Sequence, residues 1–128
     1  MAEPSEEAIL ENQLLMTPVT WKSLQSHGVT EGTPLLIDLF WFAATEEAAT
    51  SLATRLSLEL RAPPTDGLVK DLWAVEAQYG PNAFSLDSLL SFVRRMCEIG
   101  FAHKCEFDGW GAQIPALPIK RKAWWRLW

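Results

Sequence analysis

"LLIDLFWFA", residues 35–43, gathers leucine, isoleucine and three aromatic side chains around a single acid, Asp38. Nine residues are too few, and the apolar positions too evenly spread, for an amphipathic helix; the β-branched and aromatic content predicts a strand buried on both faces. Such a strand needs partners on each side, and the flanking sequence supplies them. After it, Thr45 is placed to cap a helix with Glu46 and Glu47 in its first turn and Ala48, Ala49, Leu52, Ala53 and Leu56 along one stripe. "LELR", residues 58–61, alternates leucine with charge as an edge strand does, and "APPTDG" reads as the turn that follows.

Residues 68–79 alternate again. Val69, Trp73, Val75, Ala77 and Tyr79 share one side, while Lys70, Glu76 and Gln78 share the other with Leu72 and Ala74, and "GPNAF" is expected to end the run. Ser85 then caps a second helix with Leu89, Leu90, Val93, Met96 and Cys97 facing inward until Gly100, and "HKCEFDGW" forms a fourth strand. Before the first strand, Ser5 opens a helix over residues 5–16 with Ile9, Leu10, Leu14 and Leu15 as its apolar face. Thr17 and Pro18 restart the chain as cap and first helical residue of a shorter helix through Trp21 and Leu24, which Gly28 stops.

The order strand, helix, strand, strand, helix, strand predicts an α+β fold: a ferredoxin-like βαββαβ sandwich with one or two extra N-terminal helices. Right-handed crossovers put both helices on one face and make the first and third strands central, which accounts for their apolar sequence. Residues 1–17 form a helical extension, 18–116 the ferredoxin-like domain and 117–128 a basic, tryptophan-rich tail.

The 128 residues are 48% apolar and carry 11 basic against 16 acidic side chains, a net charge of −5. One core fits that length. Four of the bases, Lys120, Arg121, Lys122 and Arg126, lie in the last nine positions, so the body is acidic and the tail basic. An acidic body argues against general phosphate-backbone binding. Cys97 and Cys105 have neither zinc-ligand nor multi-bridge spacing and read as buried free thiols in a reducing, cytoplasmic setting; the N-terminus is acidic where a signal peptide would be basic, and no run reaches the roughly 18 apolar residues of a membrane span.

Chemistry has little to work with. His27 and His103 each fall at an element boundary without a partner at ligand spacing, and glycine-rich phosphate loops, CxxC and HExxH are absent. No catalytic residue, metal or cofactor is assigned. Phe40 and Phe42 on the first strand meet one half of an RNA-reading test, aromatics on an open sheet face, but "VKDLWAVE" stands where a basic, aromatic third strand belongs, and Asp38, Glu59, Glu76 and Glu106 would surround a stacked base with negative charge. A pocket converging on Asp38 and Glu76 would instead favour a small-molecule module or an enzyme. The tail "KRKAWWRLW" folds back on the acidic body, lies on a membrane surface or binds a partner; folding back is favoured because it hides the tryptophans.

"FDGWG", residues 107–111, places a strong turn dipeptide and two glycines around one tryptophan, as in a bulge or bend that ends the fourth strand. Asp108 would hold the turn through backbone N–H groups, and Trp110 would pack on the sheet or present its ring to a partner. With Trp21, Leu24 and Gly28, "LFWF", the alanine-rich helix and the tryptophan of the third strand, "EFDGWG" resembles the regulator of ribonuclease E activity B family over residues 19–115. The resemblance implies a non-catalytic ferredoxin-like protein that inhibits an endoribonuclease by protein contact, with Asp108, Gly109, Trp110, Gly111, Phe40 and Phe42 as candidate protein-binding residues. Phe107 stands where the family motif has tyrosine, Ala112 where it has threonine, and the tail is basic where the family's is acidic.

Overall fold

The computed structural model of the chain describes residues 5–60, 65–69 and 72–114; residues 1–4, 61–64, 70–71 and the tail from residue 115 lie outside them. The elements are α1 (Glu6–Ser26), β1 (Pro34–Ala43), α2 (Glu46–Glu59), β2 (Thr65–Val69), β3 (Leu72–Ala83), α3 (Leu86–Ala102) and β4 (Cys105–Gln113). The four strands form one sheet in the order β2-β3-β1-β4, each neighbour antiparallel. This is the expected ferredoxin-like βαββαβ arrangement, with β1 and β3 central and a single N-terminal helix added.

Side-chain alternation along β1 divides the molecule. Leu35, Ile37, Leu39 and Trp41 are fully buried beneath α2 and α3. From α3, the Met96 carbonyl accepts the Trp41 indole N–H at 3.1 Å; from α2, the Ala48 carbonyl accepts the Cys105 thiol at 3.4 Å, which sets both helices on the same face. Trp41 also meets Phe107 edge to face, with centroids 5.2 Å apart. Burying each such side chain contributes about 1.5–3 kcal/mol. Leu36, Asp38, Phe40 and Phe42 point to the other face, which no described helix covers.

The predicted caps hold. Ser5, Thr45 and Ser85 accept from the backbone N–H groups of Ala8, Ala48 and Ser88, and Ser88 returns a bond to the Ser85 backbone, closing a capping box. Tertiary packing overrides four other expectations. First, α1 runs unbroken through Thr17 and Pro18. Leu10, Leu14, Thr17, Trp21 and Leu24 form one continuous inward stripe across the proline, and that burial outweighs the roughly 3 kcal/mol a helix-interior proline costs. Leu15, expected on the inner face, lies outside.

Second, "LELR" is not a strand. Leu56 and Leu60 extend the stripe of Leu52 by one turn each, so the helical period captures the segment as far as Glu59, and Leu58 is left exposed. The second strand forms instead at Thr65–Val69, inside the segment read as turn and third strand. Third, β3 does not end at "GPNAF" but continues through Pro81 to Ala83, pairing with Pro34 and Leu35 across a register shift. Gly80 makes this possible: its φ is 109°, and a Cβ there would stand 2.6 Å from the Leu35 carbonyl oxygen. Fourth, Gly100 does not stop α3. It lies within the helix against Trp41, and the helix runs one further half-turn to Ala102.

Candidate docking site at the edge of the sheet

"FDGWG" sits within β4, the edge strand beside β1, and the strand continues past it to Gln113. The expected bulge is present in mid-strand: Phe40 pairs with Gly109 and Trp41 with Phe107, so Asp108 is the extra residue. The bulge changes which residues face inward. Cys105 and Phe107 occupy the helix side before it, and Trp110 and Ala112 occupy that side after it. Gly109 and Gly111 thereby come to lie across from Phe40 and Asp38.

Trp110 is 2% exposed, and its indole N–H donates to Thr17 Oγ at 3.3 Å. The Thr17 hydroxyl in turn donates to the Gln13 carbonyl at 2.8 Å. Trp110 is therefore an anchor between β4 and α1, and its ring is not available to a partner. Gln13 completes the seam by donating its side-chain amide to the Asp108 carbonyl at 3.2 Å. The unpaired rim of an edge strand invites association, and here α1 occupies part of it.

The Asp108 side chain behaves differently from the expected turn lock. Among the described residues its carboxylate accepts no hydrogen bond that would fix the bulge; it lines a cavity of about 190 Å³ together with Asn12, Gln13, Met16 and Thr20 of α1 and Gly109 and Trp110 of β4. Partial burial raises its pKa above the ordinary carboxylate value. Beside this cavity α1 exposes a row of large apolar side chains, Leu15, Met16 and Val19, at 65%, 44% and 53%. Asn12, Leu15, Met16 and Val19 share one helical face. The sequence does not announce the α1 half of the site: Leu15 reads as inward beside Leu14, and Thr17 and Pro18 read as a restart that separates Met16 from Val19 and Thr20.

Phe40 and Phe42 are half-buried on the helix-free face and do not line the cavity, and their cross-strand neighbours on β3 and β4 include Glu76 and Glu106. Asp38, 5% exposed, accepts from the side-chain amides of Gln78 at 2.8 Å and Gln113 at 3.0 Å. The structure thus divides the predicted protein-binding residues: Asp108 joins the α1 edge, Gly109 bridges the two regions, Gly111 lies with Asp38, and the two phenylalanines belong to the open face.

The remaining reactive groups are tied into packing. Cys97 and Cys105 are free and buried, and burial pushes their thiols up to about 12 and about 11. His27 ends α1 and its Nδ1 lies 2.8 Å from the Ser23 carbonyl; His103 ends α3, where its Nδ1 lies 2.6 Å from Ser51 Oγ and links α3 to α2. Among the described residues no group of three or more histidine, cysteine or acidic side chains is placed to hold a metal, and no helix is long and apolar enough to cross a membrane. Compared with known proteins, the chain matches no family model and no curated protein.

Proposed function

We propose that this chain is a non-catalytic, cytoplasmic regulator that docks on a partner protein through the α1–β4 edge, and that the partner is an endoribonuclease of the ribonuclease E type, which it inhibits by contact. The observation that carries the docking surface is the row Leu15, Met16 and Val19 standing in solvent beside the Asp108 cavity. Three large apolar side chains on one helix face, next to an acid that lines a cavity, have the composition of an interface core with a polar anchor. The choice of partner rests on the resemblance of "EFDGWG" and its surrounding pattern to the ribonuclease E regulators. Trp110 has a structural part in this reading, holding α1 against β4 so that the row and the acid stay in register.

The test is inhibition of RNA cleavage by purified ribonuclease E. The wild-type chain is expected to slow cleavage, and Met16→Glu combined with Val19→Glu, both on exposed positions, is expected to abolish the effect while leaving the fold intact. Cleavage unaffected by the wild-type chain would exclude this partner; inhibition that survives both substitutions would exclude this surface.

A further inference from the structure

Several polar groups of the lining are engaged inside the protein: the Thr20 hydroxyl donates to the Met16 carbonyl, the Trp110 N–H donates to Thr17, and one Gln13 amide N–H donates to the Asp108 carbonyl. The two carboxylate oxygens of Asp108 and the carboxamides of Asn12 and Gln13, each with an acceptor oxygen and at least one remaining N–H, are left to meet a ligand, and the carboxylate is the charged member of that set. A cavity of about 190 Å³ with that lining takes a donor-rich, positively charged group of a few heavy atoms. Its wall at Met16 is apolar, which suits the aliphatic stem that carries such a group.

We infer that the cavity between α1 and β4 is a receptor for one arginine side chain of the partner protein, the guanidinium lying on the Asp108 carboxylate and the stem along Met16. This rests on the α1–β4 docking surface proposed above and names the anchor of that surface. Arginine fits better than lysine because its planar fork can bond both carboxylate oxygens and still offer N–H groups to the flanking amide oxygens. Among the described residues that line the cavity, Asp108 is the one charged side chain, so charge complementarity selects a cation.

The probe is the peptide acetyl-Leu-Arg-Leu-amide, titrated into the isotope-labelled full chain and followed by amide chemical shifts. Binding of a tripeptide is expected on the order of millimolar, with saturable shifts at Gln13, Thr20 and Gly109. The same peptide with citrulline, equal in shape and uncharged, is expected to bind about tenfold more weakly or worse, and Asp108→Asn is expected to lower the affinity for the arginine peptide by a similar factor. Equal shifts from both peptides, shifts confined to other parts of the chain, or an unchanged affinity in Asp108→Asn would overturn the assignment. Failure here, with Met16→Glu and Val19→Glu still abolishing inhibition, would remove the arginine site and leave the docking surface. Specific arginine binding without any effect of those two substitutions would do the reverse.

Discussion

Trp110 and Thr17 are 93 residues apart in the sequence and joined by a 3.3 Å hydrogen bond between the edge strand and the N-terminal helix. Indole and hydroxyl are both buried, so neither finds water if the other is removed. Thr17→Val should destabilise the chain by about 1–3 kcal/mol, the cost of leaving a buried N–H without an acceptor, and Trp110→Ala by about 3–5 kcal/mol, through the cavity it opens. Urea unfolding measures both. Values near zero would mean that α1 does not rest on β4.

Pro18 tests whether α1 is continuous. Inside a helix the proline leaves the Leu14 carbonyl without its N–H donor, a loss that alanine restores. Pro18→Ala should therefore raise stability by about 1–2 kcal/mol after allowance for the freer unfolded chain. A fall in stability would indicate that the helix breaks at this point.

Gly100 presses on the core. A Cβ there would stand 2.8 Å from Trp41 Cδ1 and 3.2 Å from the Cys105 carbonyl oxygen, and Trp41 cannot swing aside because its N–H is held by Met96. Overpacking then exceeds the helix-propensity gain of alanine, and Gly100→Ala should cost about 1–2 kcal/mol net. Thermal unfolding decides it: a stabilised variant would contradict the close contact.

Some of this was legible in the sequence and some was not, and the division follows interaction range. The caps at Ser5, Thr45 and Ser85, the central strand β1 and the inward stripe of α3 depend on residues within a turn or two of each other, so local chemistry announces them. Pro18, Gly100 and "LELR" carry strong local signals of the opposite sense. What overrules them is contact with α3, with Trp41 and with the sheet, none of which is written near those residues. The candidate site shows the same division: Asp108 stood out within its motif, whereas its neighbours Asn12, Gln13, Met16 and Thr20 come from a segment nearly a hundred residues earlier.

Asp108 should show the mark of a residue kept for binding. Its folded-state pKa lies above the ordinary value through burial, so protonation favours the folded chain; that contribution is present at acid pH and is lost as pH rises through the raised pKa. The other described residues that line the cavity are uncharged. Asp108→Asn is accordingly expected to melt at the same temperature as wild type or higher at pH 7, with the advantage shrinking in acid. A lower melting temperature at pH 7 would assign the carboxylate a structural bond.

The thiols offer a check on the core. With pKa values of about 12 and about 11, Cys97 and Cys105 expose thiolate fractions of only about 10⁻⁴ and 10⁻³ at pH 8, in addition to being buried. Aromatic disulfide reagents should label neither in the native chain and both after unfolding. Rapid native labelling of Cys105 would show that α2 lifts from β4.

Hydrogen exchange of the chain with and without purified ribonuclease E tests the docking surface most directly. Added protection over residues 9–20 of α1 and 105–113 of β4, lost in the Met16→Glu and Val19→Glu chain, is the predicted result. Protection confined to the β3 and β1 residues of the helix-free face, or no protection at any concentration, would contradict it.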